Sequence, residues 1–252
     1  MSSKLYFTGF IVLVSACTWA LQPPTRDSTT IAAPQKRTTP SLVMRAHSLG
    51  LFTYMGKLVN YHPAGDVLFS YTTNNGWGFS AFKVADLSDI HSHNNFAFGL
   101  INKTFHLGNR LTIAPSIGVS LEQQHKFVDH GSDVLAMLTT TLRLNKNLVI
   151  DHNAMFNNLI FETHFSDWIN RFRILYSKNH MDVTGLVWHN NALIDGTDYT
   201  SAAFSFFYNR MRLSKKVWLG GGVTGLWAMT SSNTDIAPKR NGLQFTTSIT
   251  FK

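Results

Sequence analysis

From Leu49 onward the chain alternates apolar and polar residues with a period of two, the repeat of a strand whose two faces meet different surroundings. Leu111, Ile113, Pro115, Ile117, Val119 and Leu121 share one face, against Thr112, Ala114, Ser116, Gly118, Ser120 and Glu122 on the other. The segment ending at Phe251 sets Leu243, Phe245, Thr247, Ile249 and Phe251 against Gln244, Thr246, Ser248 and Thr250. Ala202, Phe204, Phe206 and Tyr208 likewise oppose Ser201, Ala203, Ser205 and Phe207. No window of similar length in this body carries a helical stripe. Tight connections built from turn formers fall at Asn75-Gly76, Gly108-Asn109, Asn145-Lys146-Asn147, Asn179-His180 and Ser214-Lys215-Lys216, recurring every 33 to 37 residues. Such residues accept the positive φ of two-residue hairpins. Each interval holds two strands and one longer loop, which predicts about twelve strands.

The start of the chain has a different composition. Residues 1–20 read as a secretory signal: Lys4 precedes the apolar run Phe10-Ile11-Val12-Leu13-Val14, and Thr18-Trp19-Ala20 offers small residues for cleavage. Val14-Ser15-Ala16-Cys17 offers a second processing route. It resembles a bacterial lipobox in which Cys17, the single Cys of the chain, would carry lipid, although Trp19 and Leu21 suit that route poorly. Residues 21–47 hold four of the 7 Pro among Thr, Ser, Gln and Arg, a composition that reads as an extended tail.

The signal sequence, the dyad repeat, the alternation of short turns with long loops and the terminal Phe251 together resemble a bacterial outer-membrane β-barrel. Members of that class usually end on the aromatic, whereas Lys252 follows it here. The resemblance covers residues 48–252 and implies an all-β fold: a closed antiparallel up-and-down transmembrane β-barrel in the outer membrane. It also implies that the bilayer and its lipopolysaccharide surround the chain and that the barrel-assembly machinery inserts it. Residues 21–47 would then lie in the periplasm as an arm able to dock partners of an envelope complex. A soluble sandwich alternates too, but here Phe, Leu, Val and Ile fill the apolar faces strand after strand, and closure is what satisfies backbone groups in hydrocarbon. Trp77, Tyr176 and Trp218 near short turns, and Trp168, Trp188 and Trp227 toward long loops, suggest two interfacial girdles.

Composition sharpens this picture. Charged residues make up only 14% of the 252 positions, about half the usual fraction, as befits strand faces with nowhere to put charge. The formal net charge of +8 first suggests nucleic acid. Removing Lys4 leaves +7, the tail holds +3 through Arg26, Lys36, Arg37 and Arg45 against Asp27, and the barrel keeps +4. No nucleic-acid partner is expected. A charge facing lipid at mid-depth is costly, so charges opposite the apolar stripe should point into the lumen. By parity these are Lys103, Glu122, Arg143, Asp151, Arg171 and Arg173. They would either form an anion-selective lining or an ion-pair network that plugs the lumen. Arg210 and Arg212 have outward parity, which indicates rim residues or a bulge.

Evidence for chemistry is thin. His91-Ser92-His93 lies in a long loop without a nucleophile motif or a third metal ligand, and no cofactor, metal or nucleotide motif occurs. The expectation is therefore a non-enzymatic passive channel that favours anionic solutes. The alternatives are a closed accessory barrel in an envelope assembly or secretion complex, and a lipid-modifying enzyme.

Overall fold

The computed structural model describes residues 40–52, 56–87, 95–123, 133–157, 159–160, 167–192, 198–234 and 238–251. These contain fifteen strands and no helix: β1 (Ser41–His47), β2 (Gly50–Phe52), β3 (Lys57–Asn60), β4 (Ala64–Thr72), β5 (Trp77–Asp86), β6 (Asn95–Lys103), β7 (Phe105–Leu107), β8 (Leu111–Gln123), β9 (Asp133–Arg143), β10 (Leu148–Phe156), β11 (Asp167–Lys178), β12 (Met181–Ala192), β13 (Asp198–Arg212), β14 (Val217–Ser231) and β15 (Gly242–Phe251). Strands β6 and β7 both pair with β8 and act as one barrel strand interrupted at Thr104. Every neighbouring pair is antiparallel, β1 lies between β4 and β15, and the β6–β8 pairing closes the ring. The result is a closed barrel of 12 strands with two extra strands.

The turns are where the sequence places them. Asn179 and His180, with φ of 50° and 71°, make the two-residue link between β11 and β12, the left-handed pair that a type I′ hairpin requires. Asn145 Oδ1 accepts from the backbone N–H groups of Asn147 and Leu148 at 2.8 and 3.0 Å, shaping the β9–β10 turn.

In register, directly opposed residues share a face. One face carries Phe172, Ile174, Phe204, Phe206, Leu243 and Phe245, all exposed. The other carries Asp66, Asp151, Asn153, Gln244, Thr246 and Ser248, all buried. A barrel with its apolar face outward and its polar face inward is the arrangement for a bilayer.

Three expectations change. The barrel begins at Ser41, not after residue 47. Leu42, Met44 and Ala46 alternate with Ser41, Val43, Arg45 and His47, and all but Ser41 pair in register with β15 as well as β4. The segment after Leu49 is not a barrel strand; β2 and β3 form a separate hairpin. Leu58 of that hairpin packs with Trp188, Ala203 and Leu226, and Leu49 and Leu186 join the cluster. Those wall residues share the inward parity, so the hairpin lies inside the barrel against β12–β14. Trp188 accordingly belongs to this interior cluster and to no girdle, and Trp218 pairs with Thr250 on the inward parity. Trp77 and Trp227 do face outward, both half-exposed. A register shift between Tyr208 and Met211 marks the bulge expected near Arg210 and Arg212. It brings Arg212 into register with Trp218, where its Nε donates to Ser214 O at 3.0 Å.

Candidate functional site

Among the described residues the lumen holds two carboxylate–arginine clusters. The first spans β10 and β11, where Asp151 opposes Arg173 and Asn153 opposes Arg171. Arg173 Nε donates to Asp151 Oδ2 at 2.7 Å and its Nη2 lies 2.6 Å from the same oxygen. Arg171 is held more loosely, with Nη2 at 4.0 Å from Asp151 Oδ1. The Asp151 side chain is 2% exposed, against 30% and 37% for Arg171 and Arg173. The acid is therefore buried in the wall while both guanidinium groups reach the lumen, and one positive charge is left over. Asp151 Oδ1 and Arg171 Nε find no hydrogen-bond partner among the described residues. Asn153 adds an Nδ2 bond to Thr139 Oγ1 at 2.7 Å.

The second cluster spans β1, β4 and β15. Asp66 accepts Arg45 Nε on Oδ1 and meets His47 Nε2 on Oδ2, each at 2.7 Å. The His47 Nδ1 contacts Thr246 Oγ1 at 2.8 Å. The ring order sets β1 and β10 six strands apart in twelve, so the two clusters stand on opposite walls.

Apolar patches share the interior with them. The hairpin cluster is one. Leu100, Leu135, Met155 and Ile169, with Phe98 and Met137, form another along β6–β11. The hairpin is latched where Ser201 Oγ donates to Gly56 O at 2.7 Å. Gly56 has a φ of +66°, and a Cβ there would lie 2.5 Å from Trp188 Cγ. Only glycine suits both the backbone and the space.

The residues expected in the lumen fare differently. Asp151, Arg171 and Arg173 come together as one cluster. Arg143 has inward parity opposite Val149 but sits exposed at the short-turn rim, with its backbone N–H on Arg110 O. Lys103 does not line the lumen. It is in register with Trp77 on the outer face, with Nζ 5.1 Å from the Trp77 ring centroid and 2.6 Å from Asn75 O. On β6 the outward parity runs through Ile101 and Gly99 to Ala97, so a rim lysine on that face packs its stem on an aromatic. Glu122 lies on β8 in register with Phe96, and its side chain falls outside the described residues. Cys17, His91, Ser92 and His93 also fall outside them. Sequence reasoning missed Arg45, His47 and Asp66; the alternation of residues 41–47 was the available signal.

No family model matches the chain, and no curated protein matches it in sequence. The shape is not new. A KdgM porin structure superposes with a TM-score of 0.57 at 8% identity, covering 84% of this chain and 98% of that one. The fold is that of the outer-membrane porins. A NanC porin gives a TM-score of 0.55 at 10% identity over 85% of this chain and 100% of the other. An outer membrane channel from Pseudomonas putida F1 gives 0.50 at 9% identity, over 87% and 99%.

Proposed function

We propose that the chain is a passive channel of the bacterial outer membrane that favours anionic solutes and carries no catalytic role. The observation behind this reading is the Asp151 cluster, where two lumen-reaching guanidinium groups share one buried carboxylate. Fixed positive charge in a confined lumen raises the local anion concentration. One neighbour supports the direction: the KdgM porin is also known in complex with oligogalacturonate, a polyanionic sugar chain. Reversal potentials across a planar bilayer under a salt gradient test the proposal. The intact protein should pass anions preferentially, and the double variant Arg171→Ala/Arg173→Ala should lose or invert that preference. Absence of conductance, or cation preference in the intact protein, overturns it.

A second reading, a closed accessory barrel, draws support from the β2–β3 hairpin, whose Leu58 is buried against the inner wall. Gly56→Val separates the two. The variant cannot keep Trp188 and Ser201 packed on residue 56, so it should release the hairpin and raise single-channel conductance if the rest of the lumen is open. Unchanged, null conductance with the fold intact favours the closed barrel.

A further inference from the structure

The outer surface carries a feature that conduction does not use. Across five strand-to-strand steps the register aligns a row of outward residues that are small at every position beyond the first. Tyr208 opposes Gly221, Gly221 opposes Thr247, Thr247 opposes Ala46, Ala46 opposes Gly65, and Gly65 opposes Ala85. The adjoining row is large: Leu219, Ile249, Met44 and Val67, ending on Lys83. A row of small side chains beside a row of large ones makes a trough, and one of about 790 Å³ runs there. Tyr208 closes its lower end near the β13–β14 short turn, and Ala85 and Leu87 lie at its upper end by the long loops.

Its dimensions follow from sheet geometry. Five steps of about 4.8 Å give a run of roughly 24 Å. With strands tilted about 40°, the trough climbs roughly 15 Å, about half of a hydrocarbon core. The walls are almost wholly apolar. Arg45 and Asp66 border the trough but are paired with each other on the inward face, which leaves Lys83 as the one outward-facing charge of the lining. That lysine is exposed on the lipid side, in register with Val67 and Ala97. No hydrogen bond or ion pair engages it among the described residues. It lies six residues beyond the Trp77 girdle on the same face, roughly 15 Å up the barrel. That height is just past the middle of an apolar band about 25 Å tall, and its four-carbon stem can carry the ammonium farther toward the headgroups on the long-loop side. An unpaired cation on a lipid-facing strand is costly unless the lipid supplies the counter-charge.

We propose that this trough is a lipid site that seats one acyl chain of lipopolysaccharide, with Lys83 paired to a lipid A phosphate. Apolar walls of leaflet depth select a single acyl chain. The ammonium at the upper end selects an anionic headgroup, and long loops face outward in barrels of this class, where the outer leaflet supplies lipid A. The inference rests on the outer-membrane placement and not on conduction, so a barrel that fails to conduct leaves it standing.

The full-length protein in detergent, titrated with purified lipid A or with phosphatidylethanolamine and read by native mass spectrometry, tests it. One lipid A should be retained per chain in preference to phosphatidylethanolamine. Lys83→Ala should weaken retention by about tenfold or more, the scale of one charge-assisted contact, and Lys83→Arg should keep it. Ala46→Phe, which fills the trough floor, should abolish retention, and Thr247→Phe serves as a second filler should the first fail to fold. Heat-modifiable electrophoretic mobility reports folding in each case. Equal retention by folded Lys83→Ala and filled variants overturns the proposal. Equal binding of phosphatidylethanolamine overturns it too, as do wild-type dimers that Ala46→Phe dissociates, since the trough would then be an interface between copies.

Discussion

The two lumenal clusters are built from the same pair, a buried aspartate that holds an arginine from the neighbouring strand. They differ in the third member. On the β10–β11 wall it is Arg171, a permanent cation held 4.0 Å away, with no partner for its Nε among the described residues. On the β1–β4 wall it is His47, held at 2.7 Å on Asp66 and at 2.8 Å on Thr246. A guanidinium that cannot give up its charge leaves a fixed excess, whereas a histidine fully engaged on both ring nitrogens completes a local network. The first wall is organised around charge presented to the lumen. The second is organised around closure of the barrel, since Thr246 lies on β15, Asp66 on β4 and His47 between them.

Removing the acid from each wall is the strongest way to break this contrast. Asp151→Asn leaves two arginines facing each other without a counter-charge and should cost about 3 kcal/mol, at the lower edge of the range for a broken buried pair because both guanidinium groups are partly wet. Asp66→Asn retains an amide that His47 and Arg45 can still meet and should cost about 1–2 kcal/mol. Urea unfolding in lipid vesicles ranks the two, and a larger loss at Asp66 would reverse the assignment. A smaller effect sharpens the second wall. Thr246→Val removes the Nδ1 partner of His47 and should cost about 1 kcal/mol by the same measurement. The smallest effect belongs to the loosest member: Arg171→Ala should shift stability by less than about 1 kcal/mol while still lowering anion preference in bilayer recordings. A loss of several kcal/mol there would make Arg171 a structural residue.

The legible and illegible parts of the sequence divide by range. Turn chemistry is local, so Asn179-His180 and Asn145 mark their hairpins in the sequence, and parity between turns places Asp151, Arg171 and Arg173 on one inward face. Ser41–His47 was hidden because its apolar positions are few and short, and two of its inward positions hold Arg45 and His47, which resemble a charged tail. Lys103 was misplaced because parity alone does not say which face is which when one face reads Asn95, Ala97 and Gly99. Its packing on Trp77 decides the matter. The hairpin inside the lumen was out of reach because its latch joins Gly56 to Ser201, 145 residues apart, and a periodic pattern carries no information about what fills the space it encloses.

The seam between β1 and β15 joins the beginning and the end of the barrel: Leu42 lies beside Phe251 and His47 beside Thr246. Ten of the other ring contacts can form between neighbours in the chain, but this one must await the final strand. Until then two open edges wait with their amides unpaired, which is a template for sticking to other chains. The seam is therefore the pairing with the largest sequence separation in the ring, and a chain cut before Gly242 should accumulate as aggregate rather than as a smaller barrel.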